Sequence, residues 1–165
     1  MRNLFGVREH IRQPSCCSVC GNKQVSFSPL PELYRDNARR HGYVYFGKGE
    51  MTSLETYTCC NCGASDRERL CAIWIDQQIA KNYFPKDTRA IHFAPEVALS
   101  IKLKGIDLFV YKTADLSMEN VDFKVNMMSM PFDDESFDFF ICSHVLEHVD
   151  RDDQAIEELY RITKN

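Results

Sequence analysis

The sequence predicts an α/β protein in which a small cysteine-rich module precedes a partial sheet of parallel strands. Three observations lead to this prediction: two Cys-x-x-Cys-Gly motifs in the first 64 residues, short apolar runs that alternate with helical segments after residue 87, and a hydrophobic content of 44%, which suffices for a core. The predicted boundaries are residues 1–64 for the module, 65–87 for a linking helix and 88–165 for the α/β region.

The amino-terminal module is rich in turn-forming residues, including the Gly-Lys-Gly sequence of residues 47–49. Residues 43–46 and 56–58 have the aromatic and β-branched composition of short strands. The apolar residues show too little periodicity for a core built from helices. We therefore predict a small module, too short for a large core of its own.

The two cysteine motifs have the spacing of a zinc-ribbon-like module. Each places two thiols across a tight turn, and the following glycine lets backbone N–H groups approach the sulfurs. Four thiolates satisfy tetrahedral zinc and leave no open position, so the predicted Zn²⁺ is structural. The predicted ligands are Cys17, Cys20, Cys59 and Cys62. Two alternatives stay open: the four are reduced thiols or a redox pair, or the adjacent Cys16 or Cys60 replaces a ligand.

A helix is predicted from residue 65 to about residue 83. Ser65 and Glu68 have the spacing of a capping box, in which the hydroxyl accepts a hydrogen bond from the third helical N–H and the glutamate reaches back. Leu70, Ile73 and Trp74 fall on one face of this helix. The helix is predicted to link the module to the α/β region.

The α/β region has four predicted strands and two predicted helices. The strands are residues 89–94, 106–111, 121–125 and 137–142, and the helices are residues 97–104 and 150–164. The last helix has an apolar stripe of Ala155, Ile156, Leu159 and Tyr160. The second and third strands are too close in sequence for a crossover helix, so that connection is irregular or the boundaries are shifted by a few residues.

Three segments carry a family resemblance. Residues 130–149, with the sequence Ser-His-Val-Leu-Glu-His at 143–148, resemble the region after the cofactor motif in class I S-adenosylmethionine-dependent methyltransferases of type 11. The His-Phe-Ala-Pro-Glu turn at 92–96 and the helix start at 62–69 are similar to a branch with an amino-terminal zinc module. The resemblance implies a Rossmann-like fold and methyl transfer from S-adenosylmethionine to a small-molecule or unknown acceptor. Because that family continues with a Gly-Gly turn and three more strands, we expect this chain to be a short form or a fragment.

The resemblance also implies a cofactor site at the carboxyl ends of the strands, where open α/β sheets bind ligands. The loop after the first strand would pass under the methionine part, although the family's Gly-x-Gly-x-Gly is absent there. Asp115 would bind the ribose, Asn126 the adenine amino group, and Met127 would flank the ring. His144 is the candidate general base. The expected cofactor-binding residues are Ala94, Pro95, Glu96, Asp115, Asn126, Met127, Ser143 and His144.

Other functions are disfavoured or kept as alternatives. Residues 144–148 fit a His-x-x-Glu-His zinc-peptidase pattern, but a strand is predicted to end and a new helix to begin too close to them. The main alternative is a non-catalytic, zinc-stabilised module that acts through a dimer or partner covering the open sheet edge. The net charge of −4 gives no reason to expect general nucleic-acid binding. The charged first ten residues and the lack of a long apolar run predict a cytoplasmic protein without a membrane segment.

Overall fold

The computed structural model describes residues 16–46 and 53–164. The predicted turn at residues 47–49 and the first ten residues lie outside this part of the chain. The elements are β1 (Phe27–Ser28), α1 (Glu32–Arg40), β2 (Thr58–Cys59), α2 (Asp66–Ala80), β3 (Thr88–Phe93), α3 (Val97–Lys104), β4 (Phe109–Asp115), β5 (Phe123–Lys124), β6 (Phe139–Cys142) and α4 (Asp152–Ile162), with a 3₁₀ turn at Leu146–His148 before α4.

A parallel four-stranded sheet forms the centre of the fold, in the order β5-β4-β3-β6. β3 lies between β4 and β6, and Ala90 pairs with Tyr111 on one side and with Phe139 on the other. The carboxyl ends of the strands therefore meet at one edge. This arrangement confirms the predicted α/β class and agrees with a Rossmann-like sheet.

The second strand lies further along the chain than predicted. Ile106 belongs to the turn that closes α3, since its N–H donates to Leu103 O (3.2 Å) and its own carbonyl accepts from Phe109 N (3.0 Å). β4 therefore begins at Phe109, not at residue 106, and ends at Asp115 instead of residue 111. The strand is longer at this end because Thr113 and Ala114 are buried beside β3.

The connection from β4 to β5 is irregular, as expected, and it contains no helix. The carboxylate of Asp122 accepts hydrogen bonds from the backbone N–H (2.9 Å) and the hydroxyl (2.8 Å) of Thr113. These contacts bring the chain back alongside β4 over a short distance. The predicted third strand is reduced to Phe123–Lys124.

The amino-terminal part differs more from its prediction. Residues 43–46 form a turn instead of a strand, with Tyr43, Val44 and Tyr45 all exposed. Residues 32–40 form α1, a helix that the sequence did not reveal because it buries none of its residues. β2 starts at Thr58 and pairs with β1 in antiparallel orientation, with Cys59 opposite Phe27.

The capping box of α2 is confirmed: Ser65 Oγ accepts from Glu68 N (3.3 Å), and Glu68 Oε2 accepts from Ser65 N (2.7 Å). The buried face of the helix is not the one marked by its large apolar residues. Leu70, Ile73 and Trp74 are exposed, whereas the buried residues are Glu68, Arg69, Ala72 and Ile75. In α4, Ala155 and Leu159 are buried as expected, and Ile156 and Tyr160 are exposed.

Two hydrophobic clusters cover the two faces of the sheet. One joins α3 and the buried side of α2 to the cysteine region, and it contains Cys17, Cys59, Ile75, Leu99 and Ile141 among others. The other packs α4 and the loop after β5 against Ile91 and Phe93. Because Cys17 and Cys59 belong to the first cluster, the cysteine region shares its core with the sheet.

β6 pairs only with β3 among the described residues, so its second edge is an open one within this part of the chain. The predicted dimer or partner at this edge stays a prediction. In residues 16–46 and 53–164, no helix combines the length and the apolar character that a bilayer crossing requires.

Asp138 is the basis of a pH prediction. Burial opposes its ionisation, but Lys164 Nζ (2.8 Å) and Arg89 N (2.8 Å) outweigh burial and lower the pKa of Asp138 to about 2. A lowered pKa stabilises the fold above the unfolded-state value near 4, and this contribution is lost as the pH falls towards 2. We predict that Asp138→Asn lowers the free energy of unfolding by about 1–2 kcal/mol at pH 6 and by much less at pH 2.5.

Urea unfolding at the two pH values measures this difference. Asp107→Asn is the control, because Asp107 is an exposed aspartate in the turn before β4. A loss of stability in Asp138→Asn that does not change with pH would show that its charge is not the cause.

Candidate functional site

The sulfurs of the four predicted ligands lie together. The Sγ atoms of Cys17, Cys20, Cys59 and Cys62 are all within 4.8 Å of one another. Cys17 Sγ is 3.8 Å from Cys62 Sγ, and Cys20 Sγ is 4.0 Å from Cys59 Sγ. Tetrahedral zinc with Zn–S bonds of about 2.3 Å separates its sulfurs by about 3.8 Å. The donor set and its dimensions are therefore compatible with a zinc module.

The two cysteine knuckles, residues 17–21 and 59–63, have the same backbone hydrogen bonds. Gly21 N donates to Cys17 O (2.8 Å), and Gly63 N donates to Cys59 O (2.9 Å). Both glycines have left-handed backbones, with φ of +70° and +78°, which a side chain would strain. The glycine of each motif is thus required by its turn.

The thiols differ in their proton affinity. Burial and the neighbouring thiols raise the pKa of Cys62 to about 12. Burial also acts to raise the pKa of Cys20, but hydrogen bonds from Asn22 N–H and from Asn61 Nδ2 (3.3 Å) outweigh it and lower that pKa to about 7. A divalent cation among the sulfurs would favour the thiolate at all four positions.

A cavity of about 240 Å³ lies at the carboxyl ends of the strands. Five of the predicted cofactor residues line it: Ala94, Asp115, Asn126, Met127 and His144. The other three do not: Pro95, Glu96 and Ser143. Most of the remaining wall is apolar and includes Phe93, Val125, Val145 and Val149. The ends of the strands therefore converge on one pocket, and Pro95 and Glu96 of the predicted first loop lie outside its wall.

The turn after β3 replaces the family's glycines with a strained alanine. Ala94 has φ +47°, in the left-handed region, and its N–H donates to Ala114 O (3.0 Å). An L-residue in this region costs about 1–2 kcal/mol. The methyl group is small enough for Ala94 to line the cavity.

Glu96 belongs to a buried hydrogen-bond network instead of the cavity wall. Its Oε2 is 2.9 Å from Nε2 of His92, whose Nδ1 is 2.8 Å from the Tyr111 hydroxyl. Tyr111 in turn contacts Ser100 Oγ (3.1 Å). Burial opposes the ionisation of Glu96, but the His92 contact outweighs it and lowers the pKa of Glu96. The network anchors the turn from the side of the core, because the His92 side chain is fully buried.

Asp115 lines the cavity and uses one of its carboxylate oxygens within its own loop. Oδ1 accepts hydrogen bonds from Ser117 N (2.7 Å) and Met118 N (2.8 Å), whereas Oδ2 accepts none from the described residues. Burial opposes ionisation, but these N–H groups outweigh it and lower the pKa of Asp115. Asn126 Oδ1 accepts from Met128 N (3.0 Å), and Met127 is buried in the core cluster beside the pocket.

Two polar residues of the wall were missed by the sequence reasoning: Ser117 and His148. Ser117 lies in the turn whose N–H groups donate to Asp115 Oδ1. A second strand predicted to end at residue 115 would have placed Ser117 in the loop at the cavity. His148 lines the cavity, and its ring makes no hydrogen bond with the described residues. The ring of His144, in contrast, contacts Glu147 Oε1 (2.8 Å) and Arg67.

The family model described as "Methyltransferase domain" matches residues 83–165, which is half of the chain. The chain belongs to the class I S-adenosylmethionine-dependent methyltransferases. The matched part of this methyltransferase includes all four strands of the sheet and every residue of the cavity wall. The cysteine knuckles and α2 precede it. Comparison with curated proteins yields no match.

The knuckles predict metal-dependent stability. We expect Cys62→Ser to abolish binding of one zinc per chain and to lower the free energy of unfolding by about 3 kcal/mol or more, since metal binding and folding are coupled. Cys60→Ser is the matched control, because Cys60 is exposed and lies outside the cluster of sulfurs. Elemental analysis and thermal unfolding check both variants; equal zinc contents would refute the ligand assignment.

The strain at Ala94 predicts a stabilising substitution in the cavity wall. Ala94→Gly should raise the free energy of unfolding by about 0.5–1 kcal/mol, because glycine adopts a positive φ without steric cost. Ala90→Gly, a buried alanine of β3, should lower it by about 1 kcal/mol. Urea unfolding separates the two. A loss of stability in Ala94→Gly would mean that its backbone is not strained.

Proposed function

We propose that this chain binds S-adenosylmethionine in the cavity at the strand ends and transfers its methyl group to an acceptor. The observation that carries the proposal is the position of Asp115, which ends β4, lines a largely apolar pocket and has a carboxylate oxygen that accepts no hydrogen bond from the described residues. A pocket with apolar walls and a few convergent polar groups is typical of a small-molecule site.

The residues of the pocket suit the parts of this cofactor. Asp115 would accept hydrogen bonds from ribose hydroxyls, since its Oδ2 accepts none from the described residues and its pKa is lowered. Met127 and Val125 offer an apolar surface to a purine ring, and the amide of Asn126 offers polar groups at its edge. The turn at Ala94 would hold the end of the cofactor that carries the amino acid.

The bound cofactor supplies an electrophilic methyl group on a sulfonium. The chain itself has to hold the acceptor in line with that group and exclude water, which is a matter of position more than of acid–base chemistry. If the acceptor has to lose a proton, His148 is the histidine that could receive it, because it lines the cavity and its ring makes no hydrogen bond with the described residues. His144, predicted for this role, already uses both ring nitrogens.

The alternative is a zinc-stabilised module without catalysis that acts through a partner chain. The open edge of β6 and the bulkier turn at residues 94–96 favour it. The two functions differ in one measurable property: only the methyltransferase requires a nucleoside in the cavity.

We predict that S-adenosylhomocysteine binds the chain with a stoichiometry of one, and that Asp115→Asn weakens binding about tenfold by removing one charge-assisted contact. Asparagine keeps the oxygen that caps the Ser117 turn, so the loop should remain folded. Native mass spectrometry gives the stoichiometry and calorimetry the affinity, with Asp107→Asn as the control. One zinc and no nucleoside at millimolar ligand would contradict the proposal and favour the alternative.

A further inference from the structure

The first turn of α2 connects the cysteine knuckles to the rest of the protein through Arg69. Its Nη1 donates to Tyr57 O (2.7 Å) and Ala64 O (3.1 Å), and its Nη2 donates to Thr56 O (2.6 Å). The guanidinium also lies 4.4 Å from the centre of the Phe27 ring. These contacts involve both sides of the second knuckle, so the start of α2 is held rigidly against it.

Arg67, in the same turn, points the other way. Its Nη1 contacts Nε2 of His144 at the cavity, and its Nη2 lies 3.4 Å from the hydroxyl of Tyr57. The opposite ring nitrogen of His144, Nδ1, is 2.8 Å from Glu147 Oε1. One arginine thus contacts a residue of the cysteine module and a residue of the cavity wall at the same time.

The chemistry of these groups determines the state of the His144 ring. A guanidinium only donates hydrogen bonds, and a carboxylate only accepts them. Nε2 must therefore carry the lone pair that accepts from Arg67, and Nδ1 must carry the proton that it donates to Glu147. These two contacts assign His144 the Nδ1–H tautomer, with both ring nitrogens engaged.

We propose that Arg67 is a positioning residue for the cofactor cavity, and that it makes one wall of this cavity depend on the metal-binding module. This inference rests on the proposed function for its relevance to the cofactor. The contact holds His144, which has a left-handed backbone with φ +56°. His144 belongs to the loop of residues 143–149, so its position sets the path of the rest of this loop. Val145, His148 and Val149 of the loop line the cavity.

Three apolar side chains of the loop pack against a core cluster, so the Arg67 contact matters for the polar start of the loop. Its 3₁₀ turn, Leu146–His148, buries none of its residues. An L-residue in the left-handed region persists only where its surroundings determine its conformation. The hydrogen bonds to both nitrogens of the His144 ring provide that constraint. The link to the metal-binding module is Tyr57, whose hydroxyl contacts Arg67. Tyr57 directly precedes β2, the strand that contains the predicted ligand Cys59.

The first test uses ¹⁵N spectroscopy of the histidine rings and calorimetry with S-adenosylhomocysteine. In the wild-type chain, His144 should show an unprotonated, hydrogen-bonded Nε2. In Arg67→Ala that resonance should lose the shift caused by hydrogen bonding, and the affinity should fall about tenfold. Arg67→Lys keeps a hydrogen-bond donor at this position, so it should restore part of the resonance shift and part of the affinity.

Arg151→Ala is the matched control. Arg151 lies just after the same loop, and its guanidinium hydrogen-bonds to Asp153, at 2.6–2.9 Å, and to no other residue that the structure describes. This variant should leave the His144 resonance unchanged and the affinity within about twofold. An unaltered His144 resonance in Arg67→Ala, or an equal loss of affinity in Arg151→Ala, would overturn the proposal. If the wild-type chain binds no nucleoside, the proposed function fails, and the resonance still decides whether Arg67 positions His144.

A separate test asks whether the position of His144 depends on the metal-binding module. Removing zinc with a chelator should move the His144 resonance in the same direction as Arg67→Ala does. Because loss of metal can unfold the chain, Tyr57→Phe provides a second measurement: it removes only the hydroxyl that Arg67 contacts. A smaller shift in the same direction is expected. An unchanged resonance in folded, zinc-free protein and in Tyr57→Phe would confine the role of Arg67 to the loop and overturn the link to the module.

Discussion

The burial of two opposite charges, Glu68 and Arg69, is the constraint on which the arrangement of this protein depends. Each is only 8% exposed, and a buried charge is tolerated only where hydrogen bonds satisfy it. Glu68 accepts from the backbone N–H of Ser65 and of Leu99, while Arg69 donates to carbonyls around the second knuckle. Rotating α2 about its axis would leave both charges without partners. The rotation of the helix is therefore set by its polar residues, which leaves Leu70, Ile73 and Trp74 exposed although they are large and apolar.

The turn after β3 shows how the fold tolerates the absence of glycine. A left-handed alanine is less favourable than a left-handed glycine, so the neighbouring contacts must hold it. The ring of the buried Pro95 fixes the φ of that residue, and the His92–Glu96 contact ties the start of α3 to the core. Where a glycine-rich loop can adapt to a ligand, this turn is stiff before any ligand arrives. A stiff turn loses less entropy on binding but accepts fewer ligand positions.

Patterns with a local physical cause were read correctly from the sequence. The capping box, the first strand and α3 each depend on residues close in the chain, and the spacing of the cysteines indicated the cluster of sulfurs.

The errors came from features that depend on distant contacts. The face of α2 was misjudged because apolar spacing takes no account of a buried Arg69, and α1 has no apolar face to reveal it. The second strand was placed too early because the apolar Ile106 belongs to a turn. The role of His148 depends on how His144 is held, by an arginine 77 residues away in the chain.

The core that the cysteine knuckles share with the sheet has a consequence for the order in which the protein matures. Cys17 and Cys59 pack in one cluster with Ile141, which a ribosome adds much later. The sulfurs can be assembled around a metal ion as soon as residue 62 has left the ribosome. The apolar surface behind them, however, stays uncovered until α3 and β6 have followed. If a metal ion bound at this stage, the cysteine region would be an unfinished half of an interface until those elements had folded.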